Sequence, residues 1–287
     1  MFMKKNVNIQ LIRIISMFFI LFCHFCNEMH NKYGNILGQF FNVGVFIFLF
    51  ISGYLFGKKE IKNIKEWYIK RFCRIFIPVW IWTIIINIVY LIKGQEISLI
   101  GVISYVFNLQ GFFGATEGLE HLWFLSLIMI CYLITPILEK LRNMTSNSFK
   151  YLIVLVGVVI VSILVSYSNV KIGRYMFECA LYIFAYYYSF NEKKYSLMKI
   201  KSWIFIVVIF ISMIIRTILK KYIDTTIIYT NFVVLFTQSV IAISIFFIIK
   251  KMKFDIKGQK IISYINNLDE VTFYIYIVHY AFCVRSN

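Results

Sequence analysis

Nine apolar runs, near residues 9–26, 38–56, 74–92, 121–138, 151–167, 175–190, 202–219, 229–249 and 271–284, constrain this chain more than any other feature. A helix needs about 20 apolar residues to cross roughly 30 Å of hydrocarbon, and several runs fall a little short, so their boundaries are soft. Backbone in hydrocarbon must satisfy its own hydrogen bonds, which leaves an all-α, polytopic membrane bundle of about nine helices as the expected fold. Composition agrees: 61% of the chain is hydrophobic and 19% aromatic, against about 45–50% apolar in soluble domains. No internal repeat, low-complexity tract or Gly/Ser/Pro linker divides it, so residues 1–287 read as a single membrane-embedded domain.

A formal net charge of +17 would point a soluble protein toward nucleic acid. Here most basic residues lie in short segments between apolar runs, where they orient helices, and no nucleic-acid partner is expected. With a cytoplasmic amino terminus, twenty-one Lys and Arg fall inside, at Lys4 and Lys5 and in segments 58–74, 140–150, 193–201 and 250–260. Eight fall outside: Lys32, Lys93, Lys171, Arg174, Arg216, Lys220, Lys221 and Arg285. No small-residue cleavage site follows the first run, so it reads as a retained span rather than a signal peptide. The long outer segment Lys93–Glu120 holds Gly94, Gly101, Gly111, Gly114 and Gly118 around a moderately apolar middle. It is expected to lie along, or dip into, the outer surface.

The first run, QLIRIISMFFILFCHFCNE from Gln10 to Glu28, contains two out-of-place residues. Arg13 and His24 are separated by about three helical turns, so both leave one face, roughly 16 Å apart along it. An Arg near the middle of a membrane helix costs about 2.5–3.5 kcal/mol, so Arg13 needs an internal partner or, a turn inside the run, a route to the interface. His24 lies near the outer end, and imidazole is the side chain whose ordinary pKa makes it a base near neutral pH. Cys23 and Cys26 flank it in a CxxC, too few ligands for a structural zinc site without a second pair, so packing is their expected role and no metal is expected.

Four further stretches carry signal. GVFIFLFISG, from Gly44 to Gly53, is bracketed by small residues that permit close helix approach. In RFCR, Arg71 and Arg74 stand at i and i+3 on one face at the inner surface. They read either as two more positive-inside arginines or as a phosphate fork, because guanidinium grips phosphate bidentately. EHLWFLS opens the fourth run with Glu120, His121 and Trp123, where Trp is usually an interfacial anchor. YIYIVHY, from Tyr274 to Tyr280, puts His279 in the outer half of the last run, where a lone His is usually a packing residue.

Arg13 with His24, the GVFIFLFISG run, the RxxR of Arg71 and Arg74, HLWFLS followed by YLITPIL, and the late YIYIVH together resemble the acyltransferase-3 family of integral membrane proteins, in order and spacing over nearly the whole chain. The resemblance implies transfer of an acyl group, commonly acetyl from cytoplasmic acetyl-CoA, to a carbohydrate hydroxyl at or beyond the outer face of the cell membrane. Compact relatives of this kind modify cell-surface polysaccharides or their lipid-linked precursors. No cofactor is permanently bound on this reading; acyl-CoA is a donor substrate, and membrane lipids surround the protein.

The resemblance also assigns residues. Arg13 and His24 correspond to positions required for activity, and Arg71 and Arg74 lie with the acyl-CoA. His24 would act as general base on the acceptor hydroxyl or carry a transient acyl-imidazole, while Glu120, His121 and Trp123 would orient the acceptor or His24. Relatives generally have ten spans, whereas this chain stops at Asn287, three residues past the ninth run, so a missing last helix is the expectation. Two other classes stay open: an exporter or flippase of a polysaccharide precursor without acyl transfer, and a non-catalytic sensor or partner subunit. Transporters often show broken helices and inverted repeats, and this chain has only Pro78 and Pro136 and no visible repeat.

Overall fold

The structure, a computed structural model, describes residues 6–113, 118–144, 148–223, 226–252, 254 and 258–283. Lys4, Lys5, Lys253, Lys257 and Arg285, counted in the charge asymmetry, and Gly114 of the outer segment lie outside the described residues. Thirteen α-helices form, with no strand among the described residues: α1 (Val7–Glu28), α2 (Lys32–Phe41), α3 (Gly44–Gly57), α4 (Ile64–Ile92), α5 (Leu99–Val106), α6 (Gln110–Phe113), α7 (Trp123–Met144), α8 (Ser148–Ser168), α9 (Val170–Phe190), α10 (Ser202–Ile223), α11 (Val234–Lys251), α12 (Gln259–Val278) and α13 (Tyr280–Cys283). Asparagines start many of them: the side chains of Asn6, Asn31, Asn63 and Asn169 accept from first-turn amides of α1, α2, α4 and α9.

Among the described residues seven helical stretches are long and apolar enough to cross a membrane: Val7–Glu28, Lys32–Gly57, Ile64–Ile92, Glu120–Asn143, Tyr151–Ser168, Ser202–Ile223 and Tyr229–Lys251. Two of the nine expected runs, 175–190 and 271–284, are not among them; the first lies in α9, and the described part of the second covers the end of α12 and α13. Helices α9 and α12 begin in polar sequence and both carry a buried carboxylate, Glu178 and Asp269. Polar residues are tolerated there because protein, not lipid, faces them. The second run is interrupted at Asn42 and Val43, where α2 ends and α3 begins.

At the centre lies α3, apolar around its whole circumference and packed against α1, α9 and α11, as a helix without a polar face must be. Small residues set its spacing: a Cβ at Gly44 would press on the Ser16 carbonyl of α1, and one at Gly53 on the Tyr182 carbonyl of α9. On the outside, α4, α8 and α10 turn rows of isoleucine, valine and leucine outward, among them Ile81, Ile84, Ile88, Ile160, Leu164, Ile214 and Ile218. So much contiguous exposed apolar surface is what a membrane bundle turns toward lipid. The glycine-containing segment 93–120 forms α5 and α6, with Gly101, Ser104 and Tyr105 buried and Leu99, Ile100 and Ile103 exposed.

The two ends of the bundle are built differently. At one end Asn8 Nδ2 donates to the carbonyls of Ile249, Lys250 and Met252, capping the carboxyl end of α11. Beside it Glu192 accepts from Lys58 at 2.6 Å, from the Tyr54 hydroxyl at 2.8 Å and from Lys250. Burial alone would raise the Glu192 carboxyl, but these three donors outweigh it and hold its pKa at about 2. The opposite end gathers three imidazoles.

Candidate active site

Helix α1 supplies the frame. Arg13 and His24 share its inward face, and α12 runs alongside in the same direction and nearly the same register. Near one end, Gln10 Nε2 donates to Asn266 Oδ1 at 2.7 Å, and Arg13 Nη2 donates to Asp269 Oδ2 at 2.6 Å. About three turns further on, His24 meets His279. Arg13 therefore has an internal partner and does not depend on reaching the interface. The site leaves capacity unused: Arg13 Nε, Asp269 Oδ1 and Gln10 Oε1 are buried without a hydrogen-bond partner among the described residues.

The imidazoles form a chain. Ring centroids lie 5.2 Å apart for His24 and His279 and 4.9 Å apart for His279 and His121. Tyr280 closes the group, its ring nearly parallel to His121 at 17° and perpendicular to His24 at 90°. His121 comes from the short turn Glu120–Leu122 that opens α7, and the Tyr276 hydroxyl donates to its backbone carbonyl, tying this turn to α12.

Carbonyl partners fix two of the three tautomers. His121 Nε2 lies 2.9 Å from the Ile277 oxygen and His279 Nδ1 lies 2.7 Å from the Tyr276 oxygen. A carbonyl only accepts, so each of these nitrogens carries the proton, and in the neutral ring the other nitrogen is a bare acceptor. Those other nitrogens, His121 Nδ1 and His279 Nε2, are buried with no hydrogen-bond partner among the described residues. His24 differs, since neither of its nitrogens bonds a protein group among the described residues. Such an arrangement can take a proton from a hydroxyl and offer it two further acceptors.

The remaining candidates stand apart from the imidazoles. Arg71, on α4, lays its guanidinium over Phe56 at 4.8 Å and Trp67 at 5.8 Å, while Arg74 one turn on is exposed. Helix α4 starts at Ile64, ten residues before the apolar run it was expected to match, so both arginines sit within a continuous helix. Trp123 turns away from the imidazoles: its ring stacks on Tyr175 at 5.8 Å and carries the Arg174 guanidinium at 5.2 Å. Arg174 in turn bonds Glu178 at 3.0 Å, so Trp123 belongs to the packing of α7 on α9. Cys23 and Cys26 are buried free thiols.

The acyltransferase-3 family model, described as an acyltransferase domain, matches residues 6–284. The chain belongs to the acyltransferase-3 family. It is a membrane acyltransferase in the general sense that the family carries. No curated protein and no solved structure gives a significant match.

In this acyltransferase the structure joins His24 and His121 through His279, keeps Arg13 about 16 Å from His24 along α1, and holds the arginine pair on another helix. Sequence reasoning missed Asp269 and gave His279 no role beyond packing. A signal was available: Asp269, Thr272, Tyr276 and His279 recur at i, i+3, i+7 and i+10, one stripe of a helix, and all four are buried. The expected last run began at residue 271, which left Asp269 outside it, whereas α12 extends back to Gln259.

Proposed function

We propose that this acyltransferase moves an acyl group, acetyl in the first instance, from cytoplasmic acyl-CoA to a hydroxyl of a cell-surface polysaccharide or its lipid-linked precursor. The reading has nine crossings of the cell membrane, a cytoplasmic amino terminus and the imidazoles near the outer face. The excess of basic residues in the segments assigned inside supports it. So does the common direction of α1 and α12, the first and ninth crossings in this scheme, since odd-numbered crossings must run the same way.

The carrying observation is His24, whose nitrogens bond no described protein group although the imidazoles next to it are committed to carbonyls. As general base, His24 takes the acceptor hydroxyl's proton while that oxygen attacks the thioester carbonyl. The C–S bond then breaks and the thiolate recovers the proton from the imidazolium. A two-step transfer through an acyl-imidazole uses the same atom as nucleophile. Arg71 and Arg74 hold the phosphates of the donor, Arg13 contacts the donor arm, and Glu120 and His121 orient the acceptor. The stacking of Trp123 on Tyr175 favours an anchoring part for that residue over direct acceptor contact.

The test is the acetyl content of the surface polysaccharide, per repeat unit, with and without the protein. Loss of acetyl at unchanged polysaccharide yield is expected. Changed yield with unchanged acetyl per repeat unit would make the protein an exporter instead.

A further inference from the structure

His279 has a use that packing does not exhaust. Its Nδ1 is committed to the Tyr276 carbonyl at 2.7 Å, which leaves Nε2 as a lone pair, and that lone pair is buried without a partner. His24 is the adjoining ring, at 5.2 Å between centroids. The two rings are not hydrogen-bonded as they stand, but a centroid separation of 5.2 Å admits an N–H···N bond of about 3 Å once the His24 ring turns. His121, the third ring, touches His279 and Tyr280, and its Nε2 proton is spent on the Ile277 carbonyl. Tyr280 stands edge-on to His24 at 90° and limits how that ring can turn.

We propose that His279 is the positioning residue of this acyltransferase: after a turn of the His24 ring its free Nε2 accepts a hydrogen bond from one ring N–H of His24 and thereby holds the other His24 nitrogen unprotonated toward the acceptor hydroxyl. The proposal rests on the reading of His24 as base and adds to it the group that sets its tautomer. A histidine free to choose keeps its proton on either nitrogen, and only one choice leaves a base where the hydroxyl arrives. Here the choice is made two bonds away, by a backbone carbonyl that holds the His279 proton on Nδ1. When His24 takes the hydroxyl proton and the acyl oxygen–carbon bond forms, the resulting imidazolium keeps its second N–H on His279 Nε2. As the C–S bond breaks, the proton returns to the thiolate and both rings regain their starting tautomers.

The chain has four histidines, so the protein labelled with ¹⁵N-histidine and held in lipid nanodiscs gives few imidazole signals. The His24 signals are assigned by their loss in His24→Ala. In the wild type His24 shows a single tautomer. His279→Phe, which fills the space without an acceptor, yields a mixture of both, and His279→Gln, whose side-chain oxygen can accept in place of Nε2, restores a single one. If the Phe variant is not recovered, His279→Ala carries the same comparison. In the transfer assay His279→Phe lowers kcat roughly tenfold, part of the general-base contribution, with the KM for the donor unchanged, and Gln recovers part of the loss. A single His24 tautomer surviving in the Phe or Ala variant overturns the proposal whatever the activity. A tautomer that depends on His279 in a protein with no acyl transfer supports the positioning role and sinks the acyl-transfer reading alone.

Discussion

Replacing Asp269 by Leu strands the Arg13 guanidinium between helices, with its Nη2 contact at 2.6 Å gone and its Nε already unpartnered. Removing one member of a buried ion pair costs about 3–5 kcal/mol, because the other charge stays desolvated. Arg13 is 33% exposed on its side chain and Asp269 only 3%, so solvent relieves part of the loss and the low end, about 3 kcal/mol, applies. At about 2 °C per kcal/mol for a chain of this size, Asp269→Leu should melt about 6 °C below wild type. The double variant Arg13→Met with Asp269→Leu removes both charges, and Gln10 keeps its bond to Asn266 at 2.7 Å. It should recover most of that stability, since an apolar pair of similar volume is often as good as the ion pair it replaces. Thermal melts in detergent, followed by tryptophan fluorescence, measure all three. An Asp269→Leu protein melting within about 1 °C of wild type, or a double variant no better than the single, would refute the reasoning. The same proteins separate structure from function: if Arg13 serves the donor, the double variant is stable and inactive.

Other consequences follow from the two ends of the bundle. A cysteine at Lys62 should react with an impermeant label only after the membrane is opened and one at Lys171 in intact cells, and the reverse pattern would invert the proposed orientation. Arg71→Lys keeps the charge but loses both the fork and the stacking on Phe56 and Trp67, so it should raise the KM for acyl-CoA; an unchanged KM would return Arg71 to helix orientation. Glu192, with its carboxyl held at about 2, sits below the usual unfolded value of about 4.3. Its stabilising effect is therefore whole above about pH 4.3 and gone once the pH has fallen through about 2, and melts against pH should fall less steeply in Glu192→Gln over that window.

Much of the bundle was legible because apolar runs and basic loops obey the bilayer, a solvent whose rules are visible residue by residue. The shared face of Arg13 and His24 was legible for a similar reason, since helical periodicity is local. What local patterns cannot show is which distant helix answers a charge. Nothing near Arg13 points to Asp269, 256 residues on, and the run that should have contained it was cut short at its polar half. That polarity was read as loop, although it is the inward stripe of α12. His279 was undervalued for the same reason, because its worth depends on the Tyr276 carbonyl and on His24, neither of which spacing reveals. For Trp123, adjacency to His121 in sequence suggested a shared task, while the helix turns successive side chains apart and its ring stacks on Tyr175 of α9.

The account stands or falls on His24. Purified protein in proteoliposomes, given acetyl-CoA labelled in the acetyl group and the surface polysaccharide or its lipid-linked precursor as acceptor, should transfer label to carbohydrate. His24→Ala, at matched protein level and with CoA binding retained, should be slower by about 10²–10⁴, the usual contribution of a general base. Transfer by that variant at the wild-type rate would contradict the catalytic reading.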